Sequence, residues 1–250
     1  MVANLDRLHD GRMLNANDPD VLRDTLAERQ RSEDRNVFRA AWVWLIRFAF
    51  WVLYNPLAWA YDGVSQAVSL GHWRDWQRMA LPELRGAQVL ELAFGTGNVL
   101  LDLHKARYRP VGLDLSSAMT RITRRKLRGH GIAIPLVRGR AQRLPFAPSS
   151  FDSVLCTFPT EFIVAPDTLS EIARVLRPAG RAVIVVMTRL LENSLWCRVL
   201  EWLYQITGQR GPVPDLEPQL AALGLDYQAM WKAVDGSAVL LAVIERQVDG

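Results

Sequence analysis

Two cysteines, Cys156 and Cys197, are all that this 250-residue chain contains. That is too few for a disulfide framework and points to a reducing compartment. His9, His72, His104 and His130 stand apart from one another and from the cysteines, so no metal-ligand spacing is visible and no metal is expected. Lysine occurs only at positions 105, 126 and 232, and the net charge of +4 rests on arginine. The densest basic run, Arg121 to Arg128, has no interleaved aromatic residues of the kind a nucleic-acid stacking platform uses. It reads as the solvated face of a surface helix, and no nucleic-acid partner is expected. The N-terminus, Met-Val-Ala-Asn-Leu-Asp-Arg, lacks the basic-then-apolar order of a secretory signal. A cytoplasmic location is therefore expected. Internal repeats and low-complexity segments are also missing.

One stretch lacks charge almost completely. Between Ala40 and Ala60 the single charged residue is Arg47, set in a run that includes Trp42, Trp44, Phe48, Phe50, Trp51 and Tyr54. A membrane span needs about 20 apolar residues. Arg47 near the middle would be costly in lipid, and Asn55-Pro56 cuts the run short. Two readings remain, and they are compatible. One is an interfacial helix over residues 36–60, with Arg35, Arg39 and Arg47 available to anionic lipid. The other is a buried helix that caps the rest of the chain and lines an apolar pocket. Upstream, Asp18-Pro19 signals a helix start that runs to about Arg31.

From Gln88 onward strands and helices alternate. Strands are expected at 87–93, 109–114, 133–138, 152–158 and 180–187, and helices at 98–106, 117–128, 166–176, 191–206 and 215–222. Two further helices are expected within 57–84. Regular alternation implies a doubly wound, mostly parallel α/β sheet. The end differs: runs at 226–234 and 237–246 meet at Asp235-Gly236, a tight hairpin signal. The expected architecture is a Rossmann-like seven-stranded sheet with a C-terminal antiparallel hairpin. A helical cap is expected over 1–84 and the ligand-binding domain over 85–250.

Within that pattern, Glu91-Leu-Ala93-Phe94-Gly95-Thr-Gly97-Asn is a strand end, a glycine turn and a helix start. Such a turn brings backbone N–H groups close to a ligand. Leu100 stands where a dinucleotide fingerprint would carry its third glycine. Asp114 should end the second strand and either accept ribose hydroxyls or cap the next helix. Two later blocks follow: Arg138 to Phe146 leading into Phe151-Asp-Ser-Val, and Leu176-Arg-Pro178-Ala-Gly180-Arg.

The order and spacing of these four blocks, over about residues 86–188, resemble class I S-adenosylmethionine-dependent methyltransferases. The resemblance implies a binding site for S-adenosylmethionine. Gly95 and Gly97 would pass under its methionine moiety, with Ala93 before them, and Glu91 would hold the turn or the amino group. Asp114 would take the ribose, Leu115 and Met119 would flank the adenine, and Ala141 and Gln142 would border its edge. Thr157 and Phe158 would face the transferred methyl. Ala93-Phe94 replaces a Gly-x pair and narrows the turn, and Arg140 replaces the acid that meets the adenine amino group. Upstream, Tyr61-Asp62, Ser69-Leu70-Gly71 and Trp76 look like a segment of ubiquinone/menaquinone-biosynthesis C-methyltransferases, with related segments in phospholipid N-methyltransferases. The implied activity is methyl transfer to a hydrophobic small-molecule or lipid-like acceptor. His72, Tyr61 and Glu161 are candidate bases. The alternatives are a nicotinamide-dependent oxidoreductase and a non-catalytic cofactor-binding, membrane-associated protein.

Overall fold

The computed structural model describes residues 57–191 and 216–247, together with helical positions 42, 44–46, 48, 49, 52, 198 and 202. The expected helix at 18–31 and Cys197 lie outside the described residues, as does most of the expected helix at 191–206. The chain divides into two compact units, Met1–Ala49 and Phe50–Gly250. All the described strands belong to the second.

Seven strands form one sheet: β1 (Gln88–Leu92), β2 (Arg109–Asp114), β3 (Leu136–Arg138), β4 (Phe151–Thr157), β5 (Leu176–Leu190), β6 (Leu225–Val234) and β7 (Ser237–Arg246). Their order is β3-β2-β1-β4-β5-β7-β6. The first five pair in parallel, and β7 lies antiparallel between β5 and β6. The described helices are α1 (Tyr61–Val68), α2 (Trp73–Arg78), α3 (Asn98–Lys105), α4 (Ser117–Gly129), α5 (Pro166–Val175) and α6 (Glu217–Ala221).

Alternating side chains send each strand's residues to two helical layers. Val89, Leu155, Val183 and Val185 pack with Trp76 of α2 and Val99 and Leu103 of α3. Leu90, Leu92, Val154 and Ile184 pack with Leu169 and Ile172 of α5 and Leu220 of α6. Two-sided burial explains the continuous apolar runs of the central strands. The hairpin shows the same logic at an edge. β7 is buried along nearly its whole length, whereas β6, with one free edge, alternates. Asp235 and Gly236 both have positive φ, as a type I′ turn requires.

Several boundaries differ from expectation, and two strand starts move the most. β3 starts at Leu136 rather than at 133, because Pro135 has no N–H to give the ladder, although its carbonyl accepts from Gly112 N–H at 2.9 Å. β5 starts at Leu176 rather than at 180: Leu176 already pairs with Phe151, residues 177–180 bulge out, and pairing resumes with Arg181 opposite Ser153.

Helices α1 and α2 are anchored in this core. The fully buried Trp76 donates its indole N–H to Ser237 Oγ at 2.7 Å, joining α2 to the start of β7. Asp102 of α3 accepts from Arg74 at 2.7 and 2.9 Å and from Arg78 at 3.2 Å. Burial pushes the Asp102 carboxyl up, but the two guanidinium groups outweigh it and hold its pKa below the usual carboxylate value. Ser237→Ala would strand the buried indole N–H, at a cost of about 1–2 kcal/mol, and should lower the melting temperature by roughly 5 °C. An unchanged melting temperature in a thermal unfolding scan would refute this account of the anchor.

Candidate cofactor and acceptor site

The glycine turn follows β1 directly. Ala93, Gly95 and Gly97 have φ of +54°, +54° and +76°. Ala93 carries a side chain in the left-handed region, at a cost of about 1–2 kcal/mol, and is held there by its N–H to Leu113 O at 2.7 Å. Gly97 is obligatory for a second reason: a Cβ there would lie 2.4 Å from Thr123 Cγ2 of α4. Thr123 also donates to Gly95 O at 2.8 Å. Phe94 does not narrow the crevice as the sequence suggested. It is buried toward β2, where a Cβ on Gly112 would meet its ring at 2.7 Å. Gly112 makes the room that Phe94 uses.

Asp114 ends β2 and is buried. Its Oδ2 accepts from Gly95 N–H at 2.9 Å and its Oδ1 from Ser116 N–H at 2.7 Å. The helix cap is Ser116, whose hydroxyl accepts from Met119 N–H at 3.2 Å, so Asp114 is not needed for that task. Leu115 N–H is a third backbone donor to this carboxylate, which still leaves it acceptor capacity for a further donor. Burial raises the Asp114 pKa, against the pull of the Ser116 and Gly95 N–H groups. Glu91, on β1, is 1% exposed, and its Oε2 has no hydrogen-bond partner. Burial first, then Asp114 and Asp102, push its carboxyl well above the usual range. Burial first, then Glu91 and Asp114, also raise the Cys156 thiol. That cysteine is therefore a neutral, inert core residue.

The remaining residues of the implied cofactor site divide into two groups. Leu115 is exposed just past β2, Gln142 is half-buried, and Ala141 is buried on the turn closed by Arg143 N–H to Arg140 O at 3.1 Å. Met119, by contrast, is fully buried with Ala58, Ala118 and Tyr61.

Beyond β4 the structure gathers an aromatic cluster. Phe158, with φ +51°, stacks on Trp73 at 4.3 Å between ring centroids. Trp73 meets Tyr61 edge-on at 6.5 Å, and Trp76 meets Phe158 at 6.4 Å. His72 stacks on Trp76 at 6.3 Å, and its ring nitrogen and carboxylate oxygens of Asp75 and Asp235 lie within 4.8 Å of one another. Thr157 Oγ1 accepts from Gln77 Nε2 at 3.0 Å. Of the three candidate bases, Tyr61 and His72 join this cluster. Glu161 is exposed at the start of a 3-10 turn and is not among its rings. Sequence reasoning missed Gln77 and Asp102, and it placed Asp62 in the Tyr61-Asp62 segment without a role. Arg74 and Arg78 at i,i+4 were the one legible hint of a shared acidic partner; nothing local marks a residue 24 or 28 positions away.

A methyltransferase domain family matches residues 89–180. The demethylmenaquinone methyltransferase of Lactiplantibacillus plantarum is 34% identical over 163 residues, 61% of this chain and 68% of that protein. The ubiquinone/menaquinone biosynthesis C-methyltransferase of Geobacter sulfurreducens is 36% identical over 144 residues, 53% of this chain and 56% of that protein. The chain belongs to the class I S-adenosylmethionine-dependent methyltransferase family and stands close to these quinone-pathway C-methyltransferases. It spans a little over half the length of several curated relatives that it matches. The fold is shared with geranyl diphosphate C-methyltransferase from Streptomyces coelicolor, with a TM-score of 0.53 at 15% identity over 73% of this chain and 83% of that one.

Glu91 generates a pH prediction. Its folded-state pKa is raised, so the fold holds a proton that the unfolded chain releases above about pH 4.3. Stability therefore falls as pH rises from there toward the folded-state pKa. Glu91→Gln removes this slope. It should be more stable than wild type at neutral pH and about equal near pH 4. Parallel stability–pH curves for the two proteins would contradict the assignment.

Proposed function

We propose that the chain transfers a methyl group from S-adenosylmethionine to a planar, hydrophobic acceptor of the quinol type. The carrying observation is the clasp between Gly95 N–H and Asp114 Oδ2. It fixes an open glycine turn beside a buried carboxylate with acceptor capacity left for ribose hydroxyls. Gly95, Gly97 and Ala93 form the methionine side, with Glu91 beneath. Leu115, Ala141 and Gln142 border the adenine, and Met119 supports that wall from the core.

Reaction is an in-line displacement. A bond forms from the acceptor to the methyl carbon as the bond to sulfur breaks, and S-adenosylhomocysteine leaves as a neutral thioether. Alignment can supply up to roughly 7–11 kcal/mol. The sulfonium needs no metal or covalent nucleophile, only a dry and well-aligned pocket. Thr157, Phe158 and Trp73 supply that surface, with the buried Trp76 behind Phe158, and aromatic faces also favour a cationic sulfur. A quinol acceptor must lose a proton, which Tyr61 or His72 would take. The quinone-type substrates named for the relatives agree with this flat aromatic wall. The nicotinamide alternative fits less well. Dinucleotide folds order their sheet 3-2-1-4-5-6, whereas here an antiparallel β7 is inserted and the fully buried Leu100 occupies the third glycine's place.

The direct test is calorimetry with S-adenosylhomocysteine. Wild type should bind. Asp114→Ala should weaken binding at least tenfold, about 1.4 kcal/mol, while circular dichroism stays unchanged. No binding by wild type at millimolar ligand would reject the proposal.

A second reading concerns the membrane. Trp42, Trp44, Leu45 and Phe48 are 44%, 65%, 49% and 46% exposed, and Trp44 stacks on Phe48 at 5.4 Å. Among the described residues no helix is long and apolar enough to cross a membrane. Peripheral docking through residues 36–60 suits a lipid-like acceptor. In a flotation assay with anionic vesicles the full chain should rise with the lipid, and Trp44→Ala with Phe48→Ala should lower the bound fraction several-fold. Equal recovery of both proteins in the soluble fraction would reject docking.

A further inference from the structure

The Asp62 carboxylate reaches from α1 onto the glycine turn. Its Oδ1 accepts from Thr96 Oγ1 at 2.5 Å and from Asn98 Nδ2 at 3.1 Å. Its Oδ2 accepts from Lys126 Nζ at 3.0 Å, and the same ammonium donates to Asn98 Oδ1 at 2.7 Å. Thr96 lies between the two turn glycines, Asn98 opens α3, and Lys126 is on α4. Four side chains from α1, the turn region and α4 therefore close into one ring of hydrogen bonds.

Three physical points give this ring more than a surface role. Thr96 is buried, so its hydroxyl needs the acceptor that Asp62 provides. Lys126 places a cation at the N-terminus of α3, the positive end of the helix, which is unfavourable unless an anion sits beside it. Asp62 is the anion within hydrogen-bond reach of that ammonium. Finally, α4 already grips the turn from the other side through Thr123, one helical turn before Lys126. The turn is pinned between Thr123 and Asp62. The segment carrying Asp62 is itself docked on α4, where Ala58 and Tyr61 pack against Ala118, Met119 and Ile122.

We infer that Asp62 is a positioning residue for the cofactor: it sets the glycine turn from the acceptor-side helices through Thr96, Asn98 and Lys126. The residue before it, Tyr61, belongs to the aromatic cluster. Placement of α1 and the shape of the cofactor turn are thus one event. The proposal rests on the cofactor reading given above.

A double-mutant cycle read by S-adenosylhomocysteine calorimetry tests it. Asp62→Ala should raise Kd roughly tenfold or more, since a charge-assisted set of bonds is lost. Thr96→Val keeps the branched shape and removes only the hydroxyl; it should raise Kd several-fold in the wild-type background and leave it unchanged in the Asp62→Ala background. Asp62→Asn keeps an acceptor for Thr96 and should recover part of the loss. Thermal unfolding of each variant separates lost positioning from lost folding. A wild-type Kd for Asp62→Ala, or the same fold-change for Thr96→Val in both backgrounds, would overturn the inference while leaving the cofactor reading intact. Failure of the wild-type protein to bind would instead strike the cofactor reading itself.

Discussion

The hydrogen bond from Gly95 N–H to Asp114 Oδ2 is the constraint on which the site depends. It ties the end of β1 to the end of β2 across the mouth of the sheet. With the turn fixed there, Ala93 is kept in a left-handed conformation, Phe94 is driven inward over Gly112, and α3 begins at Asn98. The glycine turn and the N-terminus of α3 take their position from that start. The carboxylate does this while buried, where its ionised form is disfavoured. The backbone donors oppose that penalty, and ribose hydroxyls would add to them.

A second constraint works at the end of β4. β1 lies between β2 and β4, so the chain order reverses there, and crevices at such reversals are where open α/β sheets bind ligands. Ala93 and Phe158 flank that crevice, one past each strand, and both have positive φ without being glycine. Strain at paired positions around a site is a mark of imposed geometry. At Phe158 the strained backbone is accompanied by stacking on Trp73, and its N–H donates to Val185 O at 2.8 Å. The α1–α2 segment therefore belongs to the site physically. It is anchored by the Trp76–Ser237 and Arg74–Asp102 bonds and supplies the aromatic wall.

Much of this was legible in the sequence because its cause is local. Continuous apolar runs marked the central strands, Asp235-Gly236 marked the hairpin, and the glycine pair marked the turn. Which strand of the hairpin lies against β5 was not read from the sequence; the order β5-β7-β6 came from the structure. What escaped reading has nonlocal causes. The room for Phe94 comes from Gly112 on another strand. The partner of Arg74 and Arg78 is Asp102 on another helix. The role of Asp62 depends on Thr96, Asn98 and Lys126, which only the fold brings together. Asp114 looked like a choice between ribose and a helix cap. Ser116 takes the cap, and the carboxylate's backbone bond to the glycine turn could not be foreseen from spacing.

The most direct measurement is a crystal structure of the protein with S-adenosylhomocysteine bound. The account predicts ribose hydroxyls on Asp114, the methionine moiety over Gly95–Gly97, and the sulfur facing Thr157 and Phe158 beside the Trp73 ring. Density for the ligand elsewhere, or a ribose held by other residues with Asp114 still engaged by backbone N–H groups alone, would contradict it.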